Sequence, residues 1–333
     1  MSMNPNDVQR IGGAVLNARR MLLITHVAPD GDAIGSLLGT GWMLRGLGKD
    51  VTMACGDPVP AVYTWLPGSE EIVQQSTGSY DLVLSLDCSD RRRMGKVFAE
   101  EMAALPLVNI DHHVTNTMFG TVNWVDPSSV ATAQMALTLA QAMGWEVTPY
   151  VATCLLTGLV TDTRSFRTSN VDIAAVEAAL RLMEAGASLS EIAHRALDQR
   201  PLASVRLWGQ AIDRAHLQDG LLWTEVTQEM RRRWALAESD DSGLANFLSG
   251  VREADIVVVF TERDNGTVDV GMRAAPGYDV SRVALELGGG GHPQASGSTL
   301  TGDLPQIRER VLDALRESLV GQRHGTKLPP AIG

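Results

Sequence analysis

The sequence predicts an α/β protein: a mostly parallel open sheet with helices on both faces, joined by a helical connector to a smaller α/β C-terminal domain. Three observations predict it. Over roughly the first 185 residues, short apolar runs alternate with stretches whose apolar residues recur at i, i+3 and i+4, the pattern of strand–helix alternation around a parallel sheet. From about residue 172 to 216 only the helical period persists. Strand-like runs then return and lead into four consecutive glycines at 288–291. At 333 residues the chain exceeds one average domain. It divides into a first domain at 1–186, a connector at 187–218, a second domain at 219–320 and a tail at 321–333 whose composition suggests disorder.

The elements follow in order. MLLITH is an apolar run that ends in polar residues, and AIGSLLGTGWMLRGLG follows with helical spacing and a glycine stop. VTMAC, DLVLSLD and PLVNID repeat the strand pattern, while ATAQMALTLAQAMG and YVATCLLTGLVTD read as helices. AAVEAALRLMEAG, SEIAHRAL and ASVRLWGQAIDRA are helical. LLWTEV, ADIVVVF and TVDVGMRA are strands, SRVALEL is a short helix, and a strand and a last helix, 305 to about 319, follow GGGGHPQASG. No internal repeat is present.

Composition narrows the function classes. A hydrophobic content of 44% with 20% charged residues is that of an ordinary globular protein. No apolar run reaches the ~18 residues of a membrane span, so no membrane partner is expected. The start MSMNPNDVQR lacks a basic segment and apolar stretch of the secretory type. Three cysteines, Cys55, Cys88 and Cys154, are far apart and without metal-type spacing, which points to a reduced, cytoplasmic setting. A formal net charge of −11 disfavours coating of long nucleic acid, but not capture of a small nucleotide in a locally basic pocket.

Four polar phrases are set against apolar runs: ITHVAPDGDAIG, LVLSLDCSD, VNIDHH and LVTDT. They carry His26, Asp30, Asp32, Asp87, His112 and Asp162. Carboxylate and imidazole together suit a hard-to-borderline divalent ion such as Mn2+, and a pair of such ions is a device for attacking phosphorus with water. The residues therefore point to phosphoester hydrolysis. Each phrase has a plainer reading when taken alone. Asp32 could cap the following helix, Asp87 could form a turn, 111–113 could be a surface loop, and Asp162 could bond the end of its helix. Gly31 would allow a sharp turn between two acids. His26, Asp87 and Asp111 fall at the carboxyl ends of predicted strands, the edge where open α/β sheets bind ligands. Four of the seven histidines (His26, His112, His113 and His292) lie in such phrases. In the second domain, 288–291 followed by His292 could form a concavity of backbone N–H groups aimed at an anion.

The order of these phrases resembles the DHH phosphoesterase superfamily, named for the tripeptide found here at 111–113. GGGGHPQASG resembles the GGGHxxAAG motif of the DHH-associated domain. The resemblance spans about residues 20 to 320 and is greatest to the nanoRNase group, which hydrolyses very short RNAs and 3′-phosphoadenosine 5′-phosphate. It implies that His26 and Asp30 hold one metal, that Asp32, His112 and Asp162 hold a second, and that Asp87 bridges them. The ions would be two Mn2+, with Mg2+ as the alternative. His113 would face the substrate phosphate and Asp111 would fix an imidazole. Arg273, Gly289, Gly290, Gly291 and His292 would grip the nucleotide, and Arg93 would contact phosphate or scaffold. The partners implied are short RNA oligonucleotides and nucleotides, and a homodimer.

Two positions depart from the family pattern. Arg164 stands where a small residue usually follows TDT, and would add a phosphate contact or narrow the pocket. Ser296 makes ASG of AAG. Aromatic residues are only 5% of the chain, against an extended base-stacking platform for long single strands. The competing readings are a cyclic or linear dinucleotide phosphodiesterase, a RecJ-like single-strand DNA exonuclease, an inorganic pyrophosphatase of the same superfamily and a nucleotide-binding sensor.

Overall fold

The computed structural model describes residues 5–236 and 243–324. The chain forms two compact units, Met1–Gln199 and Arg200–Gly333. The division falls inside the stretch read as a connector.

In the first unit the order is α1 (Pro5–Asn17), β1 (Arg20–Ile24), α2 (Gly31–Gly46), β2 (Asp50–Ala54), β3 (Leu82–Leu86), β4 (Leu107–Asp111), β5 (Val122–Val125), α3 (Thr132–Met143), α4 (Pro149–Asp162), α5 (Ile173–Glu184) and α6 (Leu189–Ala193). The five strands pair in the order β2-β1-β3-β4-β5, all parallel. Strands β3 and β4 are buried along their whole length, as their unbroken apolar runs require. Leu37 and Leu38 of α2, Leu139 of α3 and Leu155 and Leu159 of α4 pack on one face of the sheet. Leu22, Ile24 and Val83 on the other face meet Met94, Val97 and Met102 from short 3-10 segments at 91–97 and 100–104.

A helix and a strand of the first unit are not legible in the sequence. Helix α1 contains Gly12 and Gly13, poor helix formers, and Gly12 lies against the flexible end of Met143, 2.5 Å from where a Cβ would stand. Strand β5 has only four residues, too few for a clear alternation.

The second unit contains α7 (Leu202–Asp213), β6 (His216–Gln218), β7 (Leu221–Val226), α8 (Gln228–Arg233), α9 (Leu244–Leu248), β8 (Ile256–Glu262), β9 (Thr267–Ala274), α10 (Ser281–Glu286), β10 (Gly290–His292), β11 (Ala295–Thr301) and α11 (Leu304–His324). Its sheet runs β10-β11-β9-β8-β7-β6, with β7 and β8 parallel and the other pairs antiparallel. Phe260, Val270, Val311 and Leu315 fill one side, and Leu207, Leu244, Val257 and Val259 the other.

One expectation changes here. The last helix does not stop near 319 but continues to His324. Gln322 binds the backbone of Asp279 through both its amide nitrogen and its oxygen, and Arg323 pairs with Asp255, so this end is tied down. Residues 325–333 of the expected tail lie outside the described residues. The end of the glycine run, whose backbone was read as an anion-binding concavity, enters the sheet as edge strand β10, paired with β11. A Cβ at Gly289 would lie 2.1 Å from the Gly297 oxygen and one at Gly291 2.5 Å from the Ala295 oxygen. Close strand approach accounts for those two glycines.

Helices α2 and α4 pack unusually closely, and glycine permits it. A Cβ on Gly35 would lie 2.4 Å from the Cys154 carbonyl oxygen, and one on Gly31 2.3 Å from Thr161 Oγ1. Gly35→Ala should therefore destabilise the fold by about 1–3 kcal/mol through overpacking, seen as a lowered midpoint in urea. An unchanged midpoint would show that the contact is not close in solution.

Candidate metal centre

The strand order makes β1 and β3 neighbours, although the chain visits β2 between them. The crevice beyond their carboxyl ends is the topological switch point of such a sheet. His26 lies two residues beyond β1, Asp87 immediately follows β3, and Asp111 ends β4. Asp87 has a left-handed backbone, φ +57°, a conformation that aspartate tolerates better than most residues.

The helices supply the other groups. Asp30 is the N-cap of α2, its Oδ1 accepting from the N–H of Asp32 at 3.1 Å and of Ala33 at 3.0 Å. The capping role considered for Asp32 thus belongs to Asp30. Asp32 crosses to another helix: its Oδ2 accepts from Thr132 N at 2.6 Å and its Oδ1 from Ala133 N at 2.9 Å. Helix α3, whose own N-cap Ala131 has no capping side chain, is capped by a carboxylate a hundred positions earlier. Gly31, read as a turn former, has no left-handed φ. It is glycine because Thr161 of α4 approaches it. That approach sets Asp162, the last residue of α4, beside the start of α2.

The side chains converge. His26 Nε2 lies 3.5 Å from Asp87 Oδ2 and 4.0 Å from Asp30 Oδ1. His112 Nε2 lies 3.5 Å from Asp87 Oδ1, 3.8 Å from Asp32 Oδ2 and 3.4 Å from Asp162 Oδ2. One donor atom each from His26, Asp30 and Asp87 falls within 4.8 Å of the others, and so do those of Asp32, His112 and Asp162. The two oxygens of Asp87 point to different groups, Oδ2 to His26 and Oδ1 to His112. Neutral imidazole and carboxylate are the donor set of a divalent cation, so these residues fit a pair of metal ions.

Backbone contacts set the imidazoles. His112 Nδ1 lies 3.2 Å from the Ser129 oxygen, so Nδ1 carries the proton and Nε2 presents its lone pair to the acids. His26 Nδ1 lies 2.8 Å from the Val27 oxygen and 3.0 Å from Arg93 Nη2. These contacts make opposite demands, and a cation on Nε2 leaves only the tautomer that donates to Val27. His113 Nδ1 meets Asp111 Oδ1 at 2.7 Å, and Asp111 Oδ2 accepts from Asn116.

Charge separates the two neighbouring histidines. Burial, then the adjacent His113 charge, pushes His112 down from its ordinary value, keeping it neutral. Burial also opposes charge on His113, but the Asp111 hydrogen bond and the Asp87 and Asp111 charges outweigh it and raise His113 to about 9. Burial, followed by Asp87, Asp162 and Asp30, drives Asp32 well above the carboxylate range. Asp87 is also buried, yet the His26 hydrogen bond and the charges of His113 and His112 hold it well below that range.

The remaining candidates lie elsewhere or behind the centre. Arg93 backs His26. Arg164 follows α4 within three consecutive left-handed residues, Arg164 at φ +51°, Ser165 at +60° and Phe166 at +62°. A small residue would be at ease there, and the guanidinium is pushed down by burial and by neighbouring Arg167. In the second unit Arg273 (β9), Ala295 (β11) and His292 (β10) form one transverse row of the sheet. Arg273 Nε donates to Asn246 Oδ1 at 2.5 Å and Nη1 to the Met272 oxygen at 2.7 Å. The sequence reading missed Thr132, whose Oγ1 donates to Asp87 Oδ1 at 2.9 Å, and also Ser129 and Asn116. Each acts from an adjoining loop or helix start, where nothing in a single sequence sets a serine, threonine or asparagine apart.

Family models match both units. Residues 20–159 match the DHH family N-terminal domain, and 236–320 match the DHHA1 domain. The chain is 40% identical over 302 residues, covering 89% of each chain, to a Thermus thermophilus protein named bifunctional oligoribonuclease and PAP phosphatase NrnA. A Bacillus subtilis protein of that name is 27% identical over 84% of this chain and 89% of its own. In structure the chain is similar to an exopolyphosphatase-related protein from Bacteroides fragilis, with a TM-score of 0.84 at 22% identity over 96% of both chains.

The raised His113 value has a consequence for the metal-free protein. A proton bound more tightly in the folded chain stabilises it fully below the unfolded value of about 6.5, and that stability is lost as pH rises through about 9. In chelator, unfolding stability should fall across this window, and His113→Gln should flatten the fall. Equal slopes in the two proteins would contradict the protonated state.

Proposed function

This chain belongs to the DHH family, with a C-terminal DHHA1 domain, and from that membership we propose that it hydrolyses very short RNA oligonucleotides to nucleoside 5′-monophosphates and 3′-phosphoadenosine 5′-phosphate to AMP. The chain is a metal-dependent hydrolase of phosphoester bonds. The observation that carries the substrate reading is the 40% identity, over nearly the whole of both chains, to a protein named for these two activities.

Within that reading, His26 and Asp30 would hold one ion, Asp32, His112 and Asp162 would hold the other, and Asp87 would be shared between them. The metals would be two Mn2+, with Mg2+ as the alternative. Bound there, such ions act as Lewis acids on phosphate oxygens and make water a nucleophile near neutral pH. The protein's own groups do the rest. Asp111 accepts from His113 Nδ1 and so orients that ring beside Asp87, where it can donate to a phosphate oxygen as negative charge grows in the transition state. The Ser129 and Val27 carbonyls hold His112 and His26 in the tautomer that ligates. Arg93 adds positive charge next to His26, and Arg164 is the candidate for a further phosphate contact. In the second unit, Arg273 and His292, on one row of the sheet, bind the nucleotide, together with the backbone of Gly289, Gly290 and Gly291.

A homodimer is the proposed assembly. Ile173, Val176, Leu180 and Met183 are exposed at helical spacing along α5, an apolar stripe of the kind that marks contact between copies. No helix among the described residues is long and apolar enough to cross a membrane. Three buried free thiols suit a cytoplasmic setting.

Two measurements test the reading. On 5′-phosphorylated RNAs of two to about ten nucleotides with Mn2+, kcat/KM should fall steadily with length, as expected where no extended stacking platform exists. Rates that rise with length would favour a processive exonuclease, and activity confined to cyclic or linear dinucleotides would favour the second-messenger alternative. Asp87→Ala should lower kcat by at least about a thousandfold. It should also forfeit most of the metal stabilisation, about 2.7 kcal/mol in the wild type at a hundred times Kd. A retained rate would remove Asp87 from the bridging role.

A further inference from the structure

The second unit contains a patch that the catalytic reading leaves unused. Helix α9 buries Leu244 and Leu248 at i and i+4 against the same side of the sheet as Val257 and Val259. Phe247, on the same helix, turns outward and is 61% exposed. It is the one exposed phenylalanine among the five in the chain. Burying a phenylalanine is worth about 1.5–3 kcal/mol, so the fold gains little from this side chain where it stands. Its ring is not loose, however. It leans on Trp208 of α7, centroids 5.8 Å apart at 37°, and the guanidinium of Arg200 lies over that indole at 5.9 Å.

The neighbouring residue ties this patch to the nucleotide-binding row. Asn246 accepts from Arg273 Nε at 2.5 Å. Arg273 pairs in register with Val257, a residue of the core side on which α9 packs, so Arg273 and α9 share one face of the sheet. Ala295 and His292 continue the same row. A rigid exposed aromatic ring thus stands one residue from the partner of a phosphate-binding arginine, with a second guanidinium behind it. A ring, a cation and a phosphate donor on one face of the sheet suit a nucleotide, with the base on the ring and the phosphate on the arginine.

We propose that Phe247, braced by Trp208, is a base-stacking residue for the substrate nucleotide whose phosphate Arg273 holds. The proposal deepens the functional reading and rests on it for the identity of the substrate. A single stacking ring selects for a base without selecting which base, since every base has a π-face. It therefore fits a dinucleotide better than a long strand.

The test separates the two ideas. A dinucleotide containing 2-aminopurine loses fluorescence when its base stacks, and this can be followed by titration in chelator, where no hydrolysis occurs. The full-length wild type should quench the probe. Phe247→Ala should weaken its binding about tenfold, within the range for one base–aromatic stack, while Phe247→Trp should restore it. In the Mn2+ assay, the ratio of kcat/KM for a dinucleotide over that for bis(p-nitrophenyl) phosphate, which has no base, should fall by a similar factor in Phe247→Ala. Equal quenching by wild type and Phe247→Ala would overturn the proposal. So would a variant with unchanged quenching but an altered sedimentation coefficient, which would assign the ring to contact between copies. Quenching without any hydrolysis by the wild type would leave the stacking site standing and remove the oligoribonuclease reading.

Discussion

The centre is governed by repulsion among buried carboxylates. Asp32 and Asp87 are each about 1% exposed, and Asp162 approaches the same imidazole as both. Water is excluded from Asp32 and Asp87, and Asp32 is raised well above the carboxylate range first by burial and then by the charges of Asp87, Asp162 and Asp30. With Asp30, the four carry as many negative charges as two divalent cations carry positive ones. The empty centre therefore opposes folding and the loaded centre favours it. Part of the chain's net charge of −11 therefore has a local reason.

The fold holds these groups in place against that repulsion by unrelated means. The parallel sheet delivers His26, Asp87 and Asp111 to one edge because each follows or ends a strand. Helices α2 and α4 are drawn together by missing side chains at Gly31 and Gly35, with Gly158 opposite them, where a Cβ would lie 2.6 Å from Asp32 Oδ1. The start of α3 offers two backbone N–H groups to Asp32 and a hydroxyl to Asp87. One helix end thus neutralises part of the charge that another helix brings in. These contacts explain why a first unit built largely of leucine, alanine and glycine surfaces can place polar groups accurately.

Much of this was legible in the sequence because the candidate metal ligands punctuate apolar runs. His26, Asp87 and 111–113 stand out where a strand pattern breaks, and strand–helix alternation foretold a parallel sheet. What was not legible depended on packing between distant segments. Nothing local announces that Asp32 caps a helix starting at residue 132, or that Gly31 is required by Thr161 and not by a turn. Nor did composition announce that Gly289 and Gly291 answer to the close approach of β11. Helix α1 was hidden by its own glycines. The supporting Thr132, Ser129 and Asn116 are common residue types, and they acquire a role only once the fold sets them beside an acid or an imidazole.

The account rests on Asp87 standing between two cations. Crystals of the protein grown with manganese and measured at the manganese absorption edge test this most directly. Two anomalous peaks should flank Asp87, one beside His26 and Asp30 and the other beside Asp32, His112 and Asp162. No peak, or a single peak away from the Asp87 carboxylate, would contradict it.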